Sequence, residues 1–167
     1  MSMVLNIQRY LQHLRKYWLI GQAVLLLIVV RMMISWVCLP SMLECLDVIN
    51  ISNVKKMDSL TEVSYYTDRL LSIYPVNERG NCLPRSLVLY VFAKRFGFPV
   101  QFHCGVQWVQ HELIGHAWLT LDGEAFCEPT RQWEHFDVTY SFPQSSPSNH
   151  SDQTKMSRRA KVTSCVS

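Results

Sequence analysis

The segment Asn81-Cys82-Leu83-Pro84-Arg85-Ser86 places a cysteine at the beginning of a predicted helix. Pro84 suits the first helical position because its fixed φ matches a helix and its missing N–H would have no acceptor there. Gly97 follows the basic pair Lys94-Arg95, which is typical of a helix C-terminus. The sequence therefore predicts a helix that stops at Gly97 and has Cys82 near its N-terminus.

Cys82 in this position is either a nucleophile or a buried structural thiol. The unpaired N–H groups of a helix N-terminus, together with a protonated histidine, lower a thiol pKa from about 8.5 into roughly the 3.5–7.5 range. The same N–H groups can stabilise the oxyanion of an acyl-transfer reaction. His116 follows in the strand-like run Gly115-His116-Ala117-Trp118 and can supply the base. The pair favours a small cysteine enzyme.

The third catalytic group depends on the hairpin around Asp122-Gly123. A two-residue loop pairs Leu121 with Glu124 and leaves Glu128 on the face opposite His116. A three-residue loop, with glycine as a left-handed bulge residue, instead pairs His116 with Glu128. A carboxylate across from the imidazole would fix its tautomer and stabilise the imidazolium. We therefore expect the three-residue loop, with Glu128 as a strand carboxylate facing solvent as the alternative.

The remaining segments predict an α+β arrangement. Residues 58–71 have apolar residues at helical spacing and predict a short helix that buries this stripe on the catalytic core. Residues 100–106, 113–121 and 124–128 predict strands of an antiparallel sheet packed against the Cys82 helix. Trp108, Trp118 and Trp133 could line a groove for a peptide, or could be core or rim aromatics.

Several motifs together resemble a known enzyme family. Residues 81–90, the Arg95-Phe96-Gly97 and Gly105-Val106 segments, and His116-Ala117-Trp118-Leu119 with Asp122-Gly123 resemble the leader peptidases of lasso-peptide biosynthesis. These enzymes belong to the transglutaminase-like superfamily of papain-type folds, and the resemblance covers roughly residues 60–130. It implies a Cys-His-Asp triad that removes the leader from a ribosomally made precursor peptide.

The resemblance assigns Cys82 as the nucleophile and His116 as general base and acid. The third position, aspartate in the family, is Glu128 here, which is one methylene longer; Asp137 is the fallback. The family also implies three partners outside this chain: the precursor peptide, a separate leader-recognition protein and an ATP-dependent lasso cyclase, which is a macrolactam synthetase. No phosphate-binding loop ending in Lys-Ser or Lys-Thr occurs in the sequence, so the cyclase must be another polypeptide.

The 167 residues divide into three predicted parts: an apolar helical segment (1–57), a transglutaminase-like catalytic domain (58–140) and a disordered serine-rich, basic tail (141–167). An apolar content of 49% is enough for a core.

The net charge of +3, without a basic stripe, argues against nucleic-acid binding. The six cysteines form neither a disulfide framework nor a zinc ribbon, which favours a reducing cytoplasm. We expect no metal and no cofactor.

The stretch from Trp18 to Val37 contains a single charge, Arg31, and is long enough to span a bilayer. Arg31 inside the stretch opposes spanning, because a cation at depth costs roughly 2–3 kcal/mol. We expect the helix to pack on the domain or on a partner protein, with a peripheral helix at the inner face of the membrane and a true span as alternatives.

Two other function classes remain open on the sequence. A transglutaminase-like acyltransferase would use Cys82 and His116 but pass the acyl group to an amine. A non-catalytic assembly module of a peptide-maturation complex would keep the Cys-His geometry without using it.

Overall fold

The computed structural model describes residues 2–47, 57–73, 80–128 and 131–143. In these residues four α-helices precede a four-stranded antiparallel sheet, with a short 3₁₀ turn before the last strand. The helices are α1 (Ser2–Trp36), α2 (Leu39–Asp47), α3 (Met57–Ile73) and α4 (Cys82–Arg95). The strands are β1 (Gln101–Val109), β2 (Glu112–Leu121), β3 (Glu124–Phe126) and β4 (Asp137–Phe142). The 3₁₀ turn covers Arg131–His135.

The sheet has the strand order β3-β2-β1-β4, and α4 packs on it. Helix α4 is buried from Ser86 to Ala93, because α1, α2 and α3 contact it as well as β1 and β2. The core residues of β1 and β2, such as Phe102 and Leu119, close the same hydrophobic cluster. The predicted α+β architecture, with the cysteine helix packed on an antiparallel sheet, is confirmed.

Helix α4 begins earlier than Pro84 predicts. Asn81 is the residue before the helix, Cys82 is the first helical residue and Pro84 is the third. Proline fits there because none of the first four N–H groups of a helix has an intrahelical acceptor. At the other end, Gly97 has a φ of 81°, so the expected left-handed stop is confirmed.

The expected three-residue hairpin loop is wrong. Leu121 pairs with Glu124, and Leu119 pairs with Phe126, so the loop is the two-residue turn Asp122-Gly123. Both turn residues have positive φ, 53° and 86°, which is the backbone of a tight hairpin turn that matches strand twist. The third strand also ends at Phe126 rather than at residue 128.

Strand β4 was not predicted, and it pairs with β1 at the other edge of the sheet. It includes Ser141 and Phe142, the first two residues of the predicted disordered tail. Residues 144–167 lie outside the described residues.

Helix α1 packs one side against α3 and α4. Ala23, Leu27 and Val30 are buried there in the hydrophobic cluster. Within this helix, Leu14–Trp36 has a mean hydropathy of 2.0 and is long and apolar enough to cross a membrane. The predicted packing of this segment on the domain is therefore present along its inner side.

Candidate active site

Cys82 lies beside the part of β2 that β3 leaves unpaired. The pairing between β2 and β3 stops at Leu119, so the β2 residues before Leu119 are not paired with β3. The first turn of α4 takes this place: the Ser86 hydroxyl donates to the Ala117 carbonyl at 2.8 Å. The Ala117 N–H in turn hydrogen-bonds to the Cys82 sulfur. The short third strand thus makes room for the thiol at the sheet edge.

His116 connects the thiol to a carboxylate. The Cys82 side chain hydrogen-bonds to the His116 imidazole. On the other side of the ring, Nε2 lies 3.4 Å from Oε2 of Glu128. Because Nε2 faces the carboxylate, Nδ1 is the ring nitrogen that remains for the sulfur. The structure therefore brings together Cys82, His116 and Glu128, the three residues singled out from the sequence.

Glu128 reaches His116 by a turn in the backbone and not by strand pairing. Cys127, directly after β3, has a φ of 57°, in the left-handed region that non-glycine residues rarely adopt. This conformation ends the strand and redirects the next residue towards the imidazole. Asp137, the fallback third residue, begins β4 at the far edge of the sheet.

The electrostatics of the pair favour a thiolate and an imidazolium. Burial raises the pKa of the Cys82 thiol, but hydrogen bonds from His116 and from the Ala117 and Leu83 N–H groups outweigh burial and bring this pKa below its usual value. The hydrogen bond to Cys82, followed by that to Glu128, raises the pKa of His116 to about 9. The pair therefore favours the nucleophilic thiolate form of Cys82 more than an isolated cysteine does.

Arg85 holds the carboxylate, and the sequence did not suggest this role. Its Nη1 lies 3.1 Å from Glu128 Oε1, and its Nη2 donates to the Cys127 carbonyl at 2.7 Å. Its Nε contacts Asp68 of α3 at 2.6 Å. One guanidinium thus fixes both the carboxylate and the left-handed residue before it. Its position three residues after Cys82, on the same face of the helix, was the available signal.

The imidazole also rests on aromatic rings. Trp118 stacks on His116 with ring centroids 5.8 Å apart, and Phe136 packs on it at 5.2 Å. A Cβ at Gly105, which pairs with His116, would lie 2.9 Å from both the Trp118 ring and the Asp137 carbonyl oxygen. Glycine at this position therefore lets the rings approach the sheet and fix the orientation of His116.

The three tryptophans proposed for a groove have different environments. Trp118 is 2% exposed and packs against His116, and Trp133 packs against Trp118. Trp108 is 72% exposed near the end of β1.

Among the described residues, no group of three His, Cys, Asp or Glu side chains could hold a metal ion.

Comparison with protein families gives one match: the transglutaminase-like superfamily, over residues 26–141. The curated proteins and the solved structures gave no match. The matched region contains Cys82, His116 and Glu128 and the whole sheet except Phe142. The superfamily includes cysteine peptidases and acyltransferases, and its members are typically catalytic. This chain belongs to the transglutaminase-like superfamily.

Proposed function

We propose that the protein is a cysteine peptidase that removes the leader from a lasso precursor peptide. The observation that carries this proposal is the contact chain Cys82, His116, Glu128, with Cys82 as the first residue of α4. The resemblance of residues 81–90 and of the His-Ala-Trp segment to lasso leader peptidases supplies the substrate class.

In this reaction the Cys82 thiolate attacks the carbonyl carbon of the amide between leader and core. The first N–H groups of a helix have no intrahelical acceptor. Since the Leu83 N–H hydrogen-bonds to the sulfur and Pro84 has no N–H, we assign the oxyanion to the Cys82 N–H.

Protonated His116 then gives its proton to the departing amine of the core peptide, and the leader remains on the sulfur as a thioester. Neutral His116 next takes a proton from water, whose oxygen attacks the thioester carbonyl and releases the leader acid. The Glu128 carboxylate stabilises the imidazolium before the amine leaves and again while water attacks. The core leaves with a free amine for a separate cyclase.

The experiment is co-expression of the full chain with a lasso precursor peptide and its leader-recognition protein, read by intact mass of the precursor. Cys82→Ala and His116→Ala are compared with wild type. Cys45→Ala, an exposed thiol on α2, and His135→Ala, in the 3₁₀ turn, are the matched controls.

We expect leader loss with wild type and both controls, and an intact precursor with the two active-site variants. Leader loss that persists in Cys82→Ala contradicts the nucleophile assignment. A product heavier than the released leader by the mass of an amine, minus water, identifies acyl transfer instead of hydrolysis.

A further inference from the structure

Helix α1 carries a stripe of exposed apolar side chains on its outward side. Its main residues are between 47% and 87% exposed. They are Leu14, Trp18, Leu25, Ile28, Met32 and Trp36. At about 100° per residue they fall within an arc of about 80°, and at 1.5 Å per residue they extend for about 33 Å. A soluble monomer rarely exposes an apolar surface of this length without a binding role.

The inward side of α1 is already occupied by the catalytic unit. Ala23, Leu27 and Val30 are buried against the core. Arg31 donates to the Asn81 side chain at 2.9 Å, directly before Cys82. A helix that crossed a bilayer would have to leave these contacts and bring Arg31 into hydrocarbon, which is costly. Whatever covers the stripe must therefore bind it while α1 stays packed on the catalytic unit.

Charge and aromatic placement identify the surface that fits the stripe. Ser2–Trp36 contains four basic residues and no acidic residue. Near the N-terminal end of the stripe, Arg15 lies about 100° from its middle and donates to Ser59 of α3 at 2.9 Å, whereas Lys16 lies on the opposite side of α1, over the Tyr66 ring. Trp18 and Trp36, at the two ends, are of the type that prefers the interface between headgroups and acyl chains. An apolar face on a helix that has basic residues and no acidic residue matches an anionic lipid surface.

We propose that α1 is an in-plane membrane helix that inserts this stripe into an anionic bilayer surface and keeps the catalytic unit on the water side. The inference uses α1 alone and does not depend on the peptidase assignment. Insertion covers the outward face without disturbing the Arg31 to Asn81 contact.

The test is co-sedimentation of the purified full chain with vesicles, in low and high salt. One set of vesicles contains phosphatidylglycerol and phosphatidylethanolamine, and the other contains only phosphatidylcholine. The stripe variant is the double substitution Leu25→Glu and Met32→Glu. The matched control is Ile73→Glu, at a 74% exposed apolar residue of α3. Because all three side chains are exposed, the thermal unfolding midpoint and the far-UV circular dichroism should match wild type.

We expect wild type and Ile73→Glu to sediment with the anionic vesicles, more weakly at high salt and with the neutral vesicles. The double variant should bind at least about tenfold more weakly, because a charge at apolar depth is disfavoured. Bound protein should be released by alkaline carbonate, as expected for a surface helix.

Three results would overturn the proposal. The first is equal vesicle binding by the double variant and wild type, or no binding by either. The second is resistance to carbonate extraction, which indicates a span. The third is a wild-type dimer or protein complex in lipid-free solution that the double variant abolishes, which makes the stripe a protein interface.

Discussion

Replacing Glu128 by glutamine removes the negative charge beside His116 while nearly keeping the shape of the side chain. The carboxylate oxygen and the ring nitrogen are 3.4 Å apart. For unit charges at this distance Coulomb's law gives about 1.2 kcal/mol in bulk water and about 5 kcal/mol at an effective dielectric constant of about 20. Arg85, 3.1 Å from the other oxygen, offsets part of the field at His116. We therefore use the lower value.

An energy of about 1.2 kcal/mol corresponds to nearly one pH unit. Glu128 raises the pKa of His116, so replacing Glu128 must lower this pKa from its wild-type value of about 9. The alkaline limb of kcat/KM, where His116 loses the proton it gives to the leaving amine, should move down by about one pH unit. We also expect kcat/KM at neutral pH to fall about tenfold, since the imidazolium loses its charge partner.

The assay is cleavage of a fluorogenic leader–core peptide, with kcat/KM measured from neutral to alkaline pH in the presence of the leader-recognition protein. Glu124→Gln, the same change at an exposed carboxylate of β3, is the control and should leave the profile unchanged. An alkaline limb that stays in place in Glu128→Gln would refute the coupling between Glu128 and His116.

The other predictions concern Arg85 and the thiol. Arg85→Met leaves Glu128, 7% exposed, with His116 but without the guanidinium, and should destabilise the protein by about 3 kcal/mol. Adding Glu128→Gln should recover part of this loss, and strictly additive chemical-denaturation free energies would contradict the pairing. Iodoacetamide at neutral pH should alkylate Cys82 faster than Cys104, because burial raises the pKa of Cys104 to about 12. Peptide mapping should show that His116→Ala slows the labelling of Cys82 and so reduces this selectivity. A Cys82 labelling rate equal to that of wild type would mean that the imidazole does not activate the thiol.

The position of Cys82 was readable from the sequence because helix ends follow local rules. Pro84 and Gly97 each restrict the backbone at one residue, and both restrictions appear in α4. The error of two residues at its beginning arises because proline is tolerated throughout the first turn. Local chemistry thus predicted the helix but not its first residue.

Glu128 was selected through a hairpin register that the structure contradicts. The observed turn would carry a continued strand away from His116, and only the left-handed conformation of Cys127 brings the carboxylate back. Cysteine has no intrinsic preference for that conformation, so no local signal could reveal it. Its support comes from Arg85, which binds the Cys127 carbonyl across a sequence separation of 42 residues. Strand β4 was missed for a related reason: its place is set by pairing with β1.

The motif Cys-Leu-Pro-Arg therefore does more than place a nucleophile. Cys82 and Arg85 are one helical turn apart, so a single turn of α4 presents both the sulfur and the cation that fixes the third group. The sulfur contacts one side of the His116 ring, and the carboxylate held by Arg85 contacts the other. The longer glutamate is accommodated because Arg85 positions both its carboxylate and its preceding backbone carbonyl. A change from glutamate to aspartate at residue 128 would shorten that reach by one methylene and leave the same cation beside a carboxylate farther from His116.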